Sequence, residues 1–127
     1  MLDNKIIDKQ AEQLHEELIK WRRKIHKNPE LGFKEYETAN FIAEKLQEFG
    51  IEYKRVCETG IVGLIEGGKP GKTLAIRADI DALALTENND VSYKSKNEGI
   101  MHACGHDGHT AILLGTAKVL FVSKPKK

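Results

Sequence analysis

The first part of the chain shows the spacing of apolar residues that is typical of amphipathic helices. Between residues 9 and 27, apolar side chains recur at steps of three and four: Ala11, Leu14, Leu18, Trp21 and Ile25. This spacing predicts a helix with one buried face, ended by Asn28-Pro29, because proline disfavours the helical conformation in the residue before it. A second helix is predicted from about residue 35 to residue 49. Gly50 follows it as a left-handed C′ residue.

The middle of the chain favours short extended segments. Residues 51–56, 61–66 and 73–77 predict three strands, with a glycine-rich turn at 67–71 before the third, and the polar residues 87–99 predict a loop. A last helix is predicted from Asp107 or Gly108, with Asp107 as its N-cap. Its predicted buried side carries four apolar residues, Leu113, Ala117, Leu120 and Phe121. This order of elements favours an α/β layer structure over an all-β fold or a helical bundle.

Composition narrows the classes of partner. The 127 residues include 20 basic and 19 acidic side chains, a formal net charge of +1, so nucleic acid is not an expected partner. No apolar run approaches the roughly 20 residues of a membrane span, and the N-terminus lacks an apolar secretion segment. We therefore expect a cytoplasmic protein with no membrane partner. In that compartment Cys57 and Cys104 are expected to be separate thiols.

The candidate chemistry is concentrated in residues 101–109, which hold three of the five histidines and one of the two cysteines. Thiolate and imidazole suit zinc and neighbouring transition metals, and Gly105 lets the backbone turn sharply. Cys104 and His106, two positions apart, are therefore candidate ligands of one metal. In the alternative interpretation Cys104 is a small buried hydrophobe and the histidines cap the following helix.

A second candidate group is Asp79 and Asp81, at the end of the predicted third strand. In an extended segment both carboxylates point to the same side, so one of them could orient a metal-ligating histidine. The alternative, which the spacing alone slightly favours, is a solvated turn or a simple ion pair with Arg77. His26 lies near the C-terminus of the first predicted helix. The helix dipole explains it adequately, and we assign it no catalytic role.

Three ordered motifs carry a family resemblance: residues 21–32 (WRRKIHKNPELG), 76–83 (IRADIDAL) and 101–110 (MHACGHDGHT). Together they resemble the metal-dependent amidohydrolases and metallopeptidases that include hippurate hydrolase, N-acyl-amino-acid amidohydrolases and indole-acetyl-amino-acid hydrolases. The resemblance implies an α/β catalytic domain, a mixed sheet flanked by helices, that holds two divalent metals (manganese, zinc, cobalt or nickel). By position, Cys104 and His106 match metal ligands, and Asp79 matches a catalytic carboxylate that supports the metal site.

The resemblance covers only the N-terminal part of such enzymes. It implies that residues 1–127 are the N-terminal part of the catalytic (peptidase) domain, without the inserted dimerisation domain and the C-terminal half. The implied substrate is a small N-acyl amino acid, and a full-length parent could be a homodimer. Because the family's glutamate base and remaining ligands are absent, we expect the isolated chain to be inactive. Ala84 departs from the family pattern, which has proline there.

The residues of the Cys/His cluster are also compatible with three other interpretations. Cys104 and a histidine could form a thiol hydrolase, which requires a metal-free sulfur within hydrogen-bond reach of the imidazole. The Cys/His cluster could instead belong to a non-catalytic metal-binding module, which predicts a closed site and metal-dependent folding. A truncation product without a function of its own is the third alternative.

Overall fold

The computed structural model describes residues 3–124 of the chain. Three helices and two strands follow one another: α1 (Asn4–Lys27), α2 (Tyr36–Phe49), β1 (Glu52–Val56), β2 (Gly60–Leu64) and α3 (His106–Ser123). The core lies where the three helices meet, with α3 packed chiefly against α1 and less extensively against α2.

Helix α1 confirms the first predicted helix and extends it towards the N-terminus. Asp3 caps it, because its carboxylate accepts a hydrogen bond of 2.9 Å from the backbone N–H of Lys5. The predicted apolar face is buried at Leu14, Trp21 and Ile25. Leu18 is half-buried and Ala11 is exposed, so the apolar face that α1 presents to the core runs from Leu14 to Ile25.

Helix α2 and the strands after it also follow the predicted pattern. Gly50 has φ 78°, the left-handed conformation expected at the end of α2. Strands β1 and β2 pair antiparallel, from Glu52 opposite Leu64 to Val56 opposite Gly60. The hairpin packs against α2.

The third predicted strand is wrong. Residues 73–77 have no strand structure, and Leu74 and Ile76 are 82% and 53% exposed. A strand needs a neighbour for its backbone hydrogen bonds, and within residues 3–124 the only paired strands are β1 and β2. The segment at 73–77 therefore has no described strand to pair with. The predicted loop at 87–99 is confirmed, since this stretch contains neither helix nor strand.

Helix α3 begins one residue earlier than predicted, and its N-cap is Gly105 at φ 82°. Asp107 is not the cap, because it lies inside the helix, where the residue is 1% exposed. The predicted buried side is also displaced: Leu113, Ala117, Leu120 and Phe121 are half-buried, whereas Ala111, Leu114 and Val119 are buried. The helix is apolar on most sides, so its spacing does not indicate which side faces α1.

No helix among residues 3–124 is long and apolar enough to cross a membrane. Cys57 and Cys104 are both exposed and free, as expected for separate thiols.

Candidate metal centre

The two chemical motifs meet where α3 begins. The backbone of Leu83 and that of Met101 exchange two hydrogen bonds, Leu83 N–H to Met101 O at 2.9 Å and Met101 N–H to Leu83 O at 3.0 Å. This antiparallel bridge places residues 79–81 beside the start of α3. Gly105 then turns the chain in a left-handed conformation that a side chain would strain. Cys104 lies before this turn and is exposed, and His106 lies directly after it and is half-buried.

His106 is held in a defined orientation by Asp81. Its Nδ1 lies 2.9 Å from Oδ1 of Asp81 and 3.0 Å from the backbone oxygen of the same residue. A carbonyl oxygen can only accept, so Nδ1 carries the hydrogen and donates it, and in the neutral ring Nε2 keeps its lone pair. A carboxylate that holds the far nitrogen in this way is the usual partner of a metal-ligating histidine.

Asp79 approaches the same imidazole from the other side. Its Oδ2 lies 4.0 Å from Nε2 of His106, while its Oδ1 pairs with Nη2 of Arg77 at 2.5 Å. The two carboxylates therefore face one imidazole, as an extended segment predicts, and the ion pair with Arg77 forms as well. Bonds from a divalent ion to nitrogen or oxygen are about 2.0–2.2 Å long, so an ion fits between Nε2 and Oδ2.

The described residues form only part of a metal site. Across residues 3–124, no group of three or more histidine, cysteine, aspartate and glutamate side chains is arranged to hold an ion. The donor chemistry nevertheless fits, since an oriented imidazole and a carboxylate face each other across a suitable gap. Structural zinc sites have four protein ligands and catalytic ones typically three plus water, so further ligands are needed.

A buried network that the sequence did not reveal lies behind this site. His26 is 3% exposed; its Nδ1 is 2.8 Å from Oδ2 of Asp107, and its Nε2 is 2.9 Å from Oε1 of Glu87. Arg22 Nε donates to the same Asp107 oxygen at 2.8 Å. The helix dipole alone is therefore an insufficient account of His26. The available signal was the spacing of four between Arg22 and His26, which puts both on one face of α1.

Both carboxyl groups of the network are ionised. Burial alone raises the pKa of Asp107, but the hydrogen bond from His26 and the charge of Arg22 outweigh it and bring the pKa below its ordinary value. Burial likewise raises the pKa of Glu87. The hydrogen bonds from the backbone N–H of Ser95 and from His26 have the larger effect, so the pKa of Glu87 is below its ordinary value. Because ionised carboxylates only accept, a ring nitrogen of His26 that carries a hydrogen donates it to the carboxylate beside it.

His102 lies beside this network with neither ring nitrogen hydrogen-bonded among the described residues. The side chain is 4% exposed and lines a pocket of about 440 Å³ that is also lined by Arg22, Glu87 and Tyr93. Burial is the main cause that lowers the pKa of His102, so the ring is neutral at physiological pH.

Residues 75–127, which contain Asp79, Cys104 and His106, match the family described as peptidase family M20/M25/M40. The resemblance predicted from the three motifs is therefore confirmed: the chain is similar to the metallopeptidases and amidohydrolases of this family. The match with solved structures of the family also confirms the predicted α/β fold class.

Three relatives illustrate the similarity. The chain is 51% identical over 116 residues to thermostable carboxypeptidase 2 of Saccharolobus solfataricus, covering 90% of this chain and 30% of the relative. It is 49% identical over 114 residues to the N-acyl-L-amino acid amidohydrolase of Geobacillus stearothermophilus, covering 89% and 31%. The Bacillus subtilis YXEP protein, described as a dinuclear metal binding peptidase from the M20 family, superposes with a TM-score of 0.86 at 44% identity, covering 89% and 32%. The chain thus spans about 30% of the length of the curated relatives it matches.

Proposed function

We propose that residues 1–127 supply the N-terminal part of the catalytic domain of a metal-dependent hydrolase, which cleaves the amide bond of small N-acyl amino acids. The similarity to an amidohydrolase and a carboxypeptidase supports the reaction class, since both names denote cleavage of amide bonds. The observation that carries the proposal is the orientation of His106, whose Nδ1 is held by Asp81 while Nε2 faces Asp79.

In this proposal Cys104 and His106 are metal ligands and Asp79 supports the ion as a catalytic carboxylate. The complete site would hold two divalent ions, which could be manganese, zinc, cobalt or nickel. When bound, they would polarise the amide carbonyl and lower the pKa of a bound water. Asp81 keeps the proton on Nδ1 of His106. In the neutral ring, the lone pair of Nε2 is therefore available to bind the metal ion. Cys104 contributes a thiolate ligand and is not a nucleophile.

The isolated chain is proposed to be inactive. The described residues do not group Cys104, His106 and Asp79 into a set of three that could hold an ion. In this proposal Cys104 joins the other two when the ion binds, and further ligands and the general base come from polypeptide of the kind that the longer relatives possess. The inserted dimerisation domain and the C-terminal half of the catalytic domain belong to that polypeptide. The same shortage of ligands argues against a closed, purely structural metal module.

Cobalt binding tests the ligand assignment. Titration of the 127-residue chain with Co²⁺ is expected to produce a thiolate-to-cobalt charge-transfer band. Cys104→Ser should abolish the band, whereas Cys57→Ser, at an exposed free cysteine outside the motif, should leave it intact. A band that survives in Cys104→Ser, or no band at all at millimolar Co²⁺, would contradict the assignment.

A chimera tests the activity. Residues 1–127 replace the corresponding segment of the Geobacillus stearothermophilus amidohydrolase, and hydrolysis of N-acetyl and N-benzoyl amino acids is followed with Mn²⁺ or Zn²⁺. We expect turnover by the chimera, none by the isolated chain, and none by a chimera with His106→Ala. Turnover by the isolated chain, or a folded chimera that binds metal but hydrolyses neither substrate, would refute the proposal.

A further inference from the structure

His26 connects three separate parts of the fold. It lies on α1, and its two ring nitrogens bond to Asp107 in the first turn of α3 and to Glu87 in the loop that follows the second motif. Glu87 in turn accepts a hydrogen bond of 2.8 Å from the backbone N–H of Ser95. His26, Glu87 and Asp107 are each at most 3% exposed, so little water can replace these bonds.

The first turn of α3 is held from two directions. On one side Asp107 is bound by His26 Nδ1 and Arg22 Nε, each 2.8 Å from its Oδ2. On the other side the residue before it, His106, is bound by Asp81. Consecutive residues of a helix point about 100° apart. The two hydrogen bonds to Asp107 therefore also fix the direction in which His106 points from the helix axis.

We propose that His26 is a positioning residue for the metal centre: through Asp107, and with the help of Arg22, it fixes the first turn of α3 and thereby the approach of His106 to Asp81 and Asp79. This inference rests on the proposed function for its metal, but the geometry it describes exists in the metal-free protein. The role is specific to one nitrogen, because Nδ1 reaches Asp107 whereas Nε2 reaches Glu87.

Two substitutions separate the two nitrogens. The amide of asparagine at position 26 overlies Nδ1 and can still donate to Asp107, whereas the longer glutamine places its amide near Nε2 and reaches Glu87 instead. Both variants lose one buried hydrogen bond, so a merely structural role predicts similar effects. A positioning role predicts that His26→Asn keeps the geometry at His106 and His26→Gln loses it.

The first readout needs no metal. In ¹⁵N-labelled chain, the ring nitrogen shifts of His106 report which nitrogen carries the hydrogen. We expect a single Nδ1–H form in wild type and in His26→Asn, and a mixture of the two forms in His26→Gln. If the glutamine variant does not fold, Arg22→Gln, at a partly exposed side chain, removes the other donor to Asp107 and is expected to give a smaller shift in the same direction.

The second readout is the Co²⁺ dissociation constant. The constant is expected to rise about tenfold in His26→Gln and by less than threefold in His26→Asn. Tenfold is the lower end of the 10–100-fold loss of metal affinity that follows when residues hydrogen-bonded to metal ligands are replaced. Ile25→Ala, at a buried neighbour on α1, is the control that lowers stability without changing either readout. An unchanged His106 spectrum in folded His26→Gln and Arg22→Gln, or equal effects of Asn and Gln, overturns the inference. A changed spectrum in a chain that binds no Co²⁺ supports the positioning of His106 and refutes the proposed metal instead.

Discussion

Asp107→Asn isolates the charge of the most buried carboxylate of the network. Asparagine has the same shape, and its oxygen can still accept from His26 and Arg22, which both bond to one oxygen of Asp107. The substitution therefore removes the negative charge while it leaves two hydrogen bonds geometrically intact.

The expected loss follows from the two bonds. A charge-assisted hydrogen bond contributes about 1.5–3 kcal/mol and a neutral one about 0.5–1.5 kcal/mol, so each loses about 1–1.5 kcal/mol. The bond from buried His26 counts in full, but the side chain of Arg22 is 38% exposed and its share is reduced by solvent screening. We expect the free energy of unfolding to fall by about 2 kcal/mol, which lowers the melting temperature by about 8 °C.

The loss should depend on pH in a defined direction. The pKa of Asp107 in the folded chain lies below its ordinary value of 3.8, so the unfolded chain binds the proton more readily. The stabilisation from this charge is therefore complete above the unfolded pKa and disappears as the pH falls through the folded pKa. Wild type should lose stability over this acidic range, whereas the Asn variant, which has no carboxyl group there, should lose less.

Urea denaturation at pH 7 and at pH 3 measures both effects. Asp90→Asn, at an exposed position in the 87–99 loop, serves as the control and should change the free energy of unfolding by less than about 0.5 kcal/mol. The reasoning is refuted if Asp107→Asn is as stable as wild type at pH 7, or if the difference between the two chains is undiminished at pH 3.

Four further substitutions test backbone conformation and side-chain packing. Gly105→Ala should lower the free energy of unfolding by about 1 kcal/mol in urea melts. The cost is the strain of a side chain at φ 82°, since no neighbour lies within 4 Å to add a clash. Gly108→Ala, inside α3 and equally open, should instead raise the free energy of unfolding by about 0.5–1 kcal/mol. Gly115→Ala should lower the melting temperature by an amount that corresponds to about 1 kcal/mol, because the new Cβ would lie 2.6 Å from Cδ2 of Leu18 and this half-buried side chain must rotate away; no loss would show that Leu18 moves aside without cost. His102→Leu should leave the thermal midpoint unchanged or raise it, since neither ring nitrogen has a partner to lose; a large drop would reveal a bond made by this ring.

Much of the helical structure could be predicted from local pattern. The apolar stripe of α1, the left-handed Gly50 after α2, and the loop at 87–99 depend on residues close in sequence, and all three predictions are confirmed. The crowding of three histidines and Cys104 in residues 101–109 also pointed to the candidate centre, although the role of Cys104 and His106 as ligands stays a prediction. Three ordered motifs were sufficient to recognise the family resemblance.

The hydrogen bonds between side chains that are distant in sequence could not be predicted from local pattern. His26 and Asp107 are 81 positions apart and Asp81 and His106 are 25 apart, so only the packing of α1 against α3 and the bridge from Leu83 to Met101 bring them together. The segment at 73–77 is the converse case, since a strand is predicted there after the glycine-rich turn but no described neighbour pairs with it. Helical periodicity is a property of neighbouring residues, and the sequence alone determines it. Hydrogen bonds between distant segments require a particular approach of those segments, and that is decided only by the tertiary structure.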